Sequence, residues 1–250
     1  MSEQVRVSTA EGVCEVRLSR PEKRNAITLA MYQGLTAALA AAQADAGVRA
    51  VLLSGEGPGF CAGNDLNDFL GGPEVSGAHP VMGFLHALAT FGKPLLAAVH
   101  GQTVGIGVTM LLHCDLIVAG RGTQFSMPFV SLGLVPEAAS SLLLPQRLGP
   151  QRAAELLLLG QPFDAAAALS YGLINRIVEE TQLAAEARAL AQAVARQPPL
   201  ALAATRRLLR PDPAATLARI DEEAATFGAL LKGSEFKAAV SAFLARAKAR

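Results

Sequence analysis

The sequence predicts an α/β fold, and three features of the 250-residue chain support that prediction. Short apolar segments typical of buried strands alternate with helical segments along the first two thirds of the chain. Beyond residue 151 the pattern is almost entirely helical. Hydrophobic residues make up 51% of the chain and charged residues 17%, which predicts a large buried core.

The N-terminal elements are predicted from alternation, turn residues and one helix cap. Alternating valines predict a hairpin that turns at Glu11-Gly12. Thr28 is a favourable N-cap for an alanine-rich helix that extends to residue 44. The next segments are predicted to be a buried strand over 50–53, a loop over 55–63 and a second loop over 71–79.

In the middle of the chain, the pattern predicts a helix over 81–90 and a strand over 95–99. A turn over 101–107, a helix over 108–112 and a strand over 116–119 follow. Residues 94–114 contain no charged side chain. A membrane-spanning helix needs about 20 apolar residues in one element. Pro94 and three glycines interrupt this segment, so we expect no membrane association.

The C-terminal part is predicted to hold one strand, over 173–178, and five helices over 151–159, 181–195, 200–209, 213–231 and 235–247. The Pro198-Pro199 pair is the predicted boundary between an α/β core, residues 1–197, and a helical region, residues 198–250. Apolar faces in that region, with Phe227, Phe236 and Phe243, predict an oligomer interface.

Charge and cysteine usage restrict the partners and the compartment. The net charge is +1, so no basic surface recommends nucleic acid as a partner. The polar N-terminus does not resemble a secretion signal. The three cysteines are an odd number without metal-ligand spacing, which favours reduced thiols in a cytoplasmic protein without a bound metal.

One acidic residue, Glu137, follows an apolar segment that ends in a Val-Pro pair. Burial disfavours the charged form of a carboxylate and raises its pKa, which is the adjustment that a general base needs near neutral pH. An acid in this position also fits the first turn of a helix, where it complements the helix dipole. Taken alone, the residue leaves both interpretations open.

Two glycine-containing loops are candidate ligand contacts. The first loop contains Ala62, Gly63, Asn64, Asp65 and Leu66, and the second contains Gly105 and Ile106. Each loop leads into a predicted helix, whose first N–H groups have no partner inside the helix. Two such N–H groups that point at one spot would form an oxyanion hole. The glycine spacing is an incomplete dinucleotide fingerprint and only weakly supports a nucleotide site.

Both loops, the segment Leu132-Gly133-Leu134-Val135-Pro136 and the segment Tyr171-Gly172-Leu173-Ile174 resemble the crotonase (enoyl-CoA hydratase/isomerase) superfamily over nearly the whole chain. The resemblance implies a spiral of ββα units with C-terminal helices that build a homotrimer or a hexamer. It also implies an acyl-CoA substrate with no separate cofactor, because coenzyme A is part of the substrate. The backbone N–H groups of Asn64 and Ile106 would then stabilise a thioester enolate.

Departures from the family pattern indicate which enzyme class within the family this chain resembles. Hydratases of the family carry two glutamates, and this chain has Thr109 and Phe129 at those positions, where we expect them to line the pocket. The surrounding motifs resemble Δ3,Δ2-enoyl-CoA isomerases, whose single catalytic glutamate corresponds to Glu137. That resemblance implies proton transfer from C2 to C4 through a dienolate. A hydratase or a thioesterase would need another carboxylate, for which Asp65 and Asp68 are the nearest candidates, and a non-catalytic acyl-CoA-binding protein is a further alternative.

The remaining contacts are implied by the same resemblance. Coenzyme A would meet the side chains of Lys23 and Arg24, the backbone of Ala26 and the two loops, through Ala62, Gly63, Asp65, Leu66 and Gly105. The acyl pocket would be lined by Met127, Phe129 and Leu132. Lys23 and Arg24 fit a solvated surface loop equally well. Asp65 is expected to cap the following helix, and His100 and His113 to be satisfied core or interface histidines.

Overall fold

The computed structural model describes residues 3–69, 77–210 and 212–248, so the loop predicted over 71–79 lies mostly outside the described residues. Within them, the strands are β1 (Val5–Ala10), β2 (Val13–Leu18), β3 (Ala50–Gly55), β4 (Leu95–Val99), β5 (Gln102–Val104), β6 (Leu116–Gly120), β7 (Gln124–Ser126), β8 (Phe163–Asp164) and β9 (Arg176–Val178). The helices are α1 (Leu29–Ala44), α2 (Pro80–Thr90), α3 (Ile106–Thr109), α4 (Ser140–Leu148), α5 (Pro150–Leu159), α6 (Ala165–Ser170), α7 (Leu183–Ala195), α8 (Pro199–Leu209), α9 (Pro213–Leu231) and α10 (Ser234–Lys248).

The main sheet has six strands in the order β1-β2-β3-β4-β6-β9. The hairpin β1–β2 is antiparallel, as predicted, and every other pair in this sheet is parallel. A second sheet has three short strands in the order β5-β7-β8, which lie in the sequence between strands of the main sheet. The predicted α/β class is therefore confirmed.

Helices cover both faces of the main sheet, which explains the continuous apolar runs of its central strands. In β3, Val51 and Leu53 belong to the large core shared with α1 and α2. Ala50 and Leu52 point to the opposite face and pack in a smaller cluster with α7. Because β3 and β4 are parallel neighbours, the loops that follow them leave from the same edge of the sheet.

Several predicted elements are confirmed, and the differences concern short ones. Helix α1 begins after Thr28, whose side chain accepts a hydrogen bond from Met31 N, and α9 has the predicted bounds. The predicted turn over 101–107 contains β5, and α3 begins at Ile106, two residues earlier than predicted. The predicted strand over 173–178 is limited to β9. Helices α4 and α6 and strands β7 and β8 were not predicted.

The C-terminal helices α9 and α10 fold back over their own subunit. Phe227 and Phe236 are buried in the same core as the main sheet. The prediction that these residues lie on a free oligomer interface is therefore wrong, and Phe243 lies outside the described side chains. The apolar faces of α9 and α10 pack against this core and shield it from solvent. Among the described helices, none combines the length and the hydropathy that a membrane crossing requires.

Candidate active site

Backbone hydrogen bonds hold the two glycine-containing loops side by side. Val104 N donates to Cys61 O at 2.8 Å, and Cys61 N donates to Gln102 O at 3.2 Å. Gly63 and Gly105 have φ angles of 95° and 54°, which a residue with a side chain rarely adopts. The two glycine-containing loops are therefore neighbours in space.

The backbone N–H groups of Asn64 and Ile106 are candidate donors to a ligand. Among the described residues, neither N–H group has a backbone hydrogen-bond partner. Both residues line a cavity of about 650 Å³ between the two loops and the C-terminal helices. Two unpaired donors on one wall can stabilise negative charge on a ligand oxygen.

Most of the predicted binding residues line this cavity. They are Lys23, Ala26, Ala62, Gly63, Asn64, Asp65, Leu66, Gly105, Ile106, Phe129 and Leu132. Arg24 does not, and its guanidinium donates to Gln102 Oε1 at 3.0 Å on the exterior. Met127 is buried and is not among the described residues that line the cavity, so its predicted place in the acyl pocket is wrong. The apolar side chains Phe227, Leu231 and Phe236 also line the cavity, which the sequence analysis did not foresee.

Glu137 lies in an inner cavity of about 20 Å³. Asn64, Phe69 and Phe227 line both this inner cavity and the large one, so the two adjoin. The other walls are apolar side chains of α2 and α9, namely Val81, Met82, Leu85, Ile220 and Ala224. A ligand that enters past Asn64 would meet the Glu137 carboxyl, and no other carboxylate of the described residues lies on the walls of the inner cavity.

The Glu137 carboxyl is buried and has one hydrogen bond. Thr109 Oγ1 donates to Glu137 Oε1 at 2.5 Å, and Oε2 has no partner among the described residues. Burial raises the pKa of Glu137 to about 8, against the lowering effect of Thr109 and with the negative charge of Glu223 as a further raising effect. Thr109 was expected to line the pocket, and this expectation is wrong, because its buried side chain binds the Glu137 carboxyl instead.

A strained turn follows Glu137. Ala138 and Ala139 have φ angles of 61° and 55°, in the left-handed region that costs non-glycine residues free energy. His113 Nε2 lies 2.8 Å from Ala138 O, and because a carbonyl only accepts, Nε2 carries the proton. Burial lowers the pKa of His113 to about 4, so it is neutral. It is the satisfied core histidine that the sequence predicted.

The loop at Asn64 is fixed from two sides. Tyr32 Oη donates to Asn64 Oδ1 at 2.5 Å from the buried face of α1. Arg20 Nη1 donates to Asp65 Oδ2 at 2.7 Å, and Asp65 Oδ1 accepts from Asn67 N, so Asp65 caps the following turn as expected. Burial raises the pKa of Asp65, but hydrogen bonds from Arg20 and Asn67 outweigh it and the pKa is lowered. These bonds stabilise the position of the Asn64 N–H group.

Arg20, Tyr32 and Glu223 contribute to the site without having been predicted to do so. Their partners are 45, 32 and 84 positions away in the sequence. The chain offers no local signal for such contacts, although Arg20 lies close in the sequence to Lys23 and Arg24, which were predicted to bind coenzyme A. The His100 ring, in contrast, bonds to Gly57 O through Nε2 at 2.8 Å, which agrees with the prediction of a satisfied histidine.

Comparisons with known proteins agree with this geometry. A sequence model described as enoyl-CoA hydratase/isomerase matches residues 8–250. The 1,2-epoxyphenylacetyl-CoA isomerase of Escherichia coli (strain K12) is 34% identical over 246 residues, which cover 94% of this chain and 93% of that protein. Enoyl-CoA delta isomerase 2 of Rattus norvegicus is 35% identical over 231 residues, which cover 90% of this chain and 59% of that protein.

A solved structure extends the likeness to the fold. The crystal structure of an enoyl-CoA hydratase/isomerase from Pseudoalteromonas atlantica T6c has a TM-score of 0.93 and 40% identity, with 98% of both chains covered. The chain therefore belongs to the enoyl-CoA hydratase/isomerase, or crotonase, family of acyl-CoA enzymes. Other relatives of similar identity have the names hydratase and dehydratase. The reaction therefore has to be argued from the residues of the site.

Proposed function

We propose that this protein is a Δ3,Δ2-enoyl-CoA isomerase. The proposal rests on the Glu137 carboxyl, which is buried in the inner cavity and has one oxygen without a hydrogen-bond partner among the described residues. It is the only carboxylate on the walls of that cavity within the described part of the chain. On the large cavity, Asp65 is engaged by Arg20 and is a poor candidate for a second acid or base.

In the proposed reaction, Glu137 removes a proton from C2 of a 3-enoyl-CoA. The electron pair of that C–H bond delocalises over the thioester and the double bond, which gives a dienolate. The N–H groups of Asn64 and Ile106 would hold the dienolate oxygen, and each such donor is worth about 3–4 kcal/mol in comparable sites. Glu137 then returns the proton to C4, the double bond moves to C2–C3, and no atom is gained or lost.

The electrostatics of Glu137 suit this proton transfer. A base is most effective when its pKa lies near the working pH, and burial raises that of Glu137 to about 8. One base is sufficient because no water is added. The apolar side chains Met82, Leu85 and Phe227 exclude water from the carboxyl, which also protects the dienolate.

Hydration is the alternative that the site supports less well. A hydratase of this family would hold a water between two glutamates, at the positions of Thr109 and Phe129. The Thr109 hydroxyl already donates a hydrogen bond to Glu137, and Phe129 is apolar.

We also propose that the coenzyme A part of the substrate lies along Lys23 and Ala26, which line the large cavity. A phosphate contact by Arg24 would require its bond to Gln102 to break.

The variant Glu137→Gln tests the proposal, because it keeps the size and shape of the side chain but cannot accept a proton at neutral pH. Isomerisation of trans-3-hexenoyl-CoA should fall by roughly 10²–10⁴-fold, with little change in substrate binding. Glu222→Gln, an exposed neighbour of the site on α9, is the matched control and should retain full activity. Retention of more than about a tenth of wild-type activity by Glu137→Gln would show that the proposed mechanism is wrong.

A further inference from the structure

Glu223 on α9 binds the start of α4 through both of its carboxyl oxygens. Oε2 accepts a hydrogen bond from Ala139 N at 2.7 Å, and Oε1 accepts one from Ser141 N at 2.9 Å. The N-cap residue Ala139 has no capping side chain of its own. A carboxylate from a distant part of the chain therefore satisfies the N–H groups that a local cap usually binds.

The backbone between these hydrogen bonds and Glu137 is strained. Two consecutive alanines, Ala138 and Ala139, are held in the left-handed region and are fully buried. His113 binds Ala138 O from one side, and Glu223 binds Ala139 N from the other. Such a conformation persists only where the surroundings over-determine it. Loss of either contact would allow the turn to relax and would turn Glu137 away from the inner cavity.

We propose that Glu223 is a positioning residue of the reaction, which holds the turn that aims the Glu137 carboxyl and acts on that carboxyl through its negative charge. This role rests on the proposed function of Glu137 as the base. Glu223 does not line either cavity among the described residues, so it acts through Glu137 and not on the substrate.

The groups around the two carboxyls decide the sign of the charge effect. Burial raises the pKa of Tyr32 and of Cys61, and the negative charge of Glu137 raises both further, so both are neutral near pH 7. The α2 wall is apolar, and His113 is neutral. Burial raises the pKa of Glu223 to about 7, against its hydrogen bonds and the charge of Arg219. Above that pH, Glu223 is the negative charge that raises the pKa of Glu137.

The variant Glu223→Gln removes the charge and leaves one of the two amide N–H groups without an acceptor. We expect kcat for trans-3-hexenoyl-CoA to fall by about 10- to 100-fold, because a misplaced base costs rate, while KM changes little. We also expect the acid limb of the pH profile of kcat/KM to move to lower pH, because the raising charge is gone. A residue with a merely structural role would leave that limb unchanged.

Glu223→Asp and Glu222→Gln complete the set. Aspartate keeps the charge but is too short to bind both N–H groups, so kcat should fall at least about tenfold with the acid limb unmoved. Glu222 is exposed and pairs with Arg219, so Glu222→Gln should behave as wild type. If Glu223→Gln does not fold, the kcat of Glu223→Asp tests the proposal. Wild-type kcat in Glu223→Asp, or in a folded Glu223→Gln, would overturn the proposal.

A readout without substrate separates this role from the isomerase proposal. In protein labelled at glutamate, a carboxyl-carbon NMR titration follows the Glu137 resonance, which is identified by its loss in Glu137→Gln. In Glu223→Gln this titration should move to lower pH, and an unmoved titration would refute the charge effect. If it moves and the wild-type protein does not isomerise 3-enoyl-CoA, the function is wrong and the role of Glu223 on Glu137 is retained.

Discussion

The hydrogen bond between Thr109 and Glu137 predicts how the enzyme responds to pH. Thr109→Val removes the hydroxyl that donates to Glu137 Oε1 at 2.5 Å and keeps the shape of the side chain. Both carboxyl oxygens are then without a partner in an apolar cavity. Because the bond favours the charged form, its removal raises the pKa of Glu137 above the present value of about 8.

The magnitude follows from the worth of a hydrogen bond to a charged group. Such a bond contributes about 1.5–3 kcal/mol, and about 1.4 kcal/mol corresponds to one pH unit, so the pKa of Glu137 should rise by roughly one to two. At pH 7 about a tenth of a carboxyl with a pKa of about 8 is ionised. In Thr109→Val this fraction falls to roughly a hundredth or a thousandth, and kcat/KM at pH 7 falls about 10- to 100-fold with it.

The assay is kcat/KM for trans-3-hexenoyl-CoA between about pH 6 and pH 10. The acid limb of Thr109→Val should lie at higher pH than that of wild type, with activity regained as the pH rises. Thr109→Ser keeps the hydroxyl and should stay close to wild type. Thr103→Val makes the same change at a buried threonine whose hydroxyl has no partner in the described part of the chain, so its profile should not move. An unmoved or lowered acid limb in Thr109→Val would refute the assignment of Glu137 as the base.

Three further predictions concern water addition, the loop at Asn64 and assembly. Crotonyl-CoA should keep its conjugated-enoyl absorbance, because Glu137 has no second carboxylate beside it on the described walls of the inner cavity, and rapid formation of 3-hydroxybutyryl-CoA would contradict this. Asp65→Asn should lower the free energy of unfolding in urea by about 2 kcal/mol, because Arg20 loses its mostly buried partner. Since the pKa of Asp65 is lowered, this difference should be present above about pH 4 and vanish as the pH falls through that pKa, whereas a difference independent of pH would contradict it. We propose a homotrimer or hexamer through α8, where Leu208 and Leu209 are 82% and 80% exposed, and light scattering that shows a monomer at micromolar concentration would refute it.

Elements with strong local signals could be predicted from the sequence. The bounds of α9 follow from Asp212 at its N-cap and Pro213 at its first position, and Asp212 Oδ1 does accept from Ala214 N. Thr28 marks the start of α1 in the same way. Strands β3 and β4 follow from apolar runs covered on both faces. The convergence of the two loops came from resemblance, because local patterns do not report it.

Helix α4 shows why other parts could not be predicted. It contains Pro145, which usually indicates the end of a helix, and it begins at Ala139, which offers no capping side chain. Its cap is Glu223, 84 positions away, and only the folded chain brings the two together. The strand β8 has two residues and carries no alternation pattern. Contacts of high sequence separation decide these elements, and propensity contains no information about them.

The position of Thr109 connects the choice of reaction with the strength of the base. A glutamate there, as in hydratases of the family, would place a second negative charge beside Glu137 and would supply a partner for a water molecule. The threonine hydroxyl does neither, and it lowers the pKa that burial raises. Glu223 acts in the opposite direction, and it binds backbone N–H groups without being one of the described residues that line the two cavities. The base is thus adjusted by one donor on α3 and one charge on α9, so variants at these two positions should move the acid limb in opposite directions, which simple loss of packing would not do.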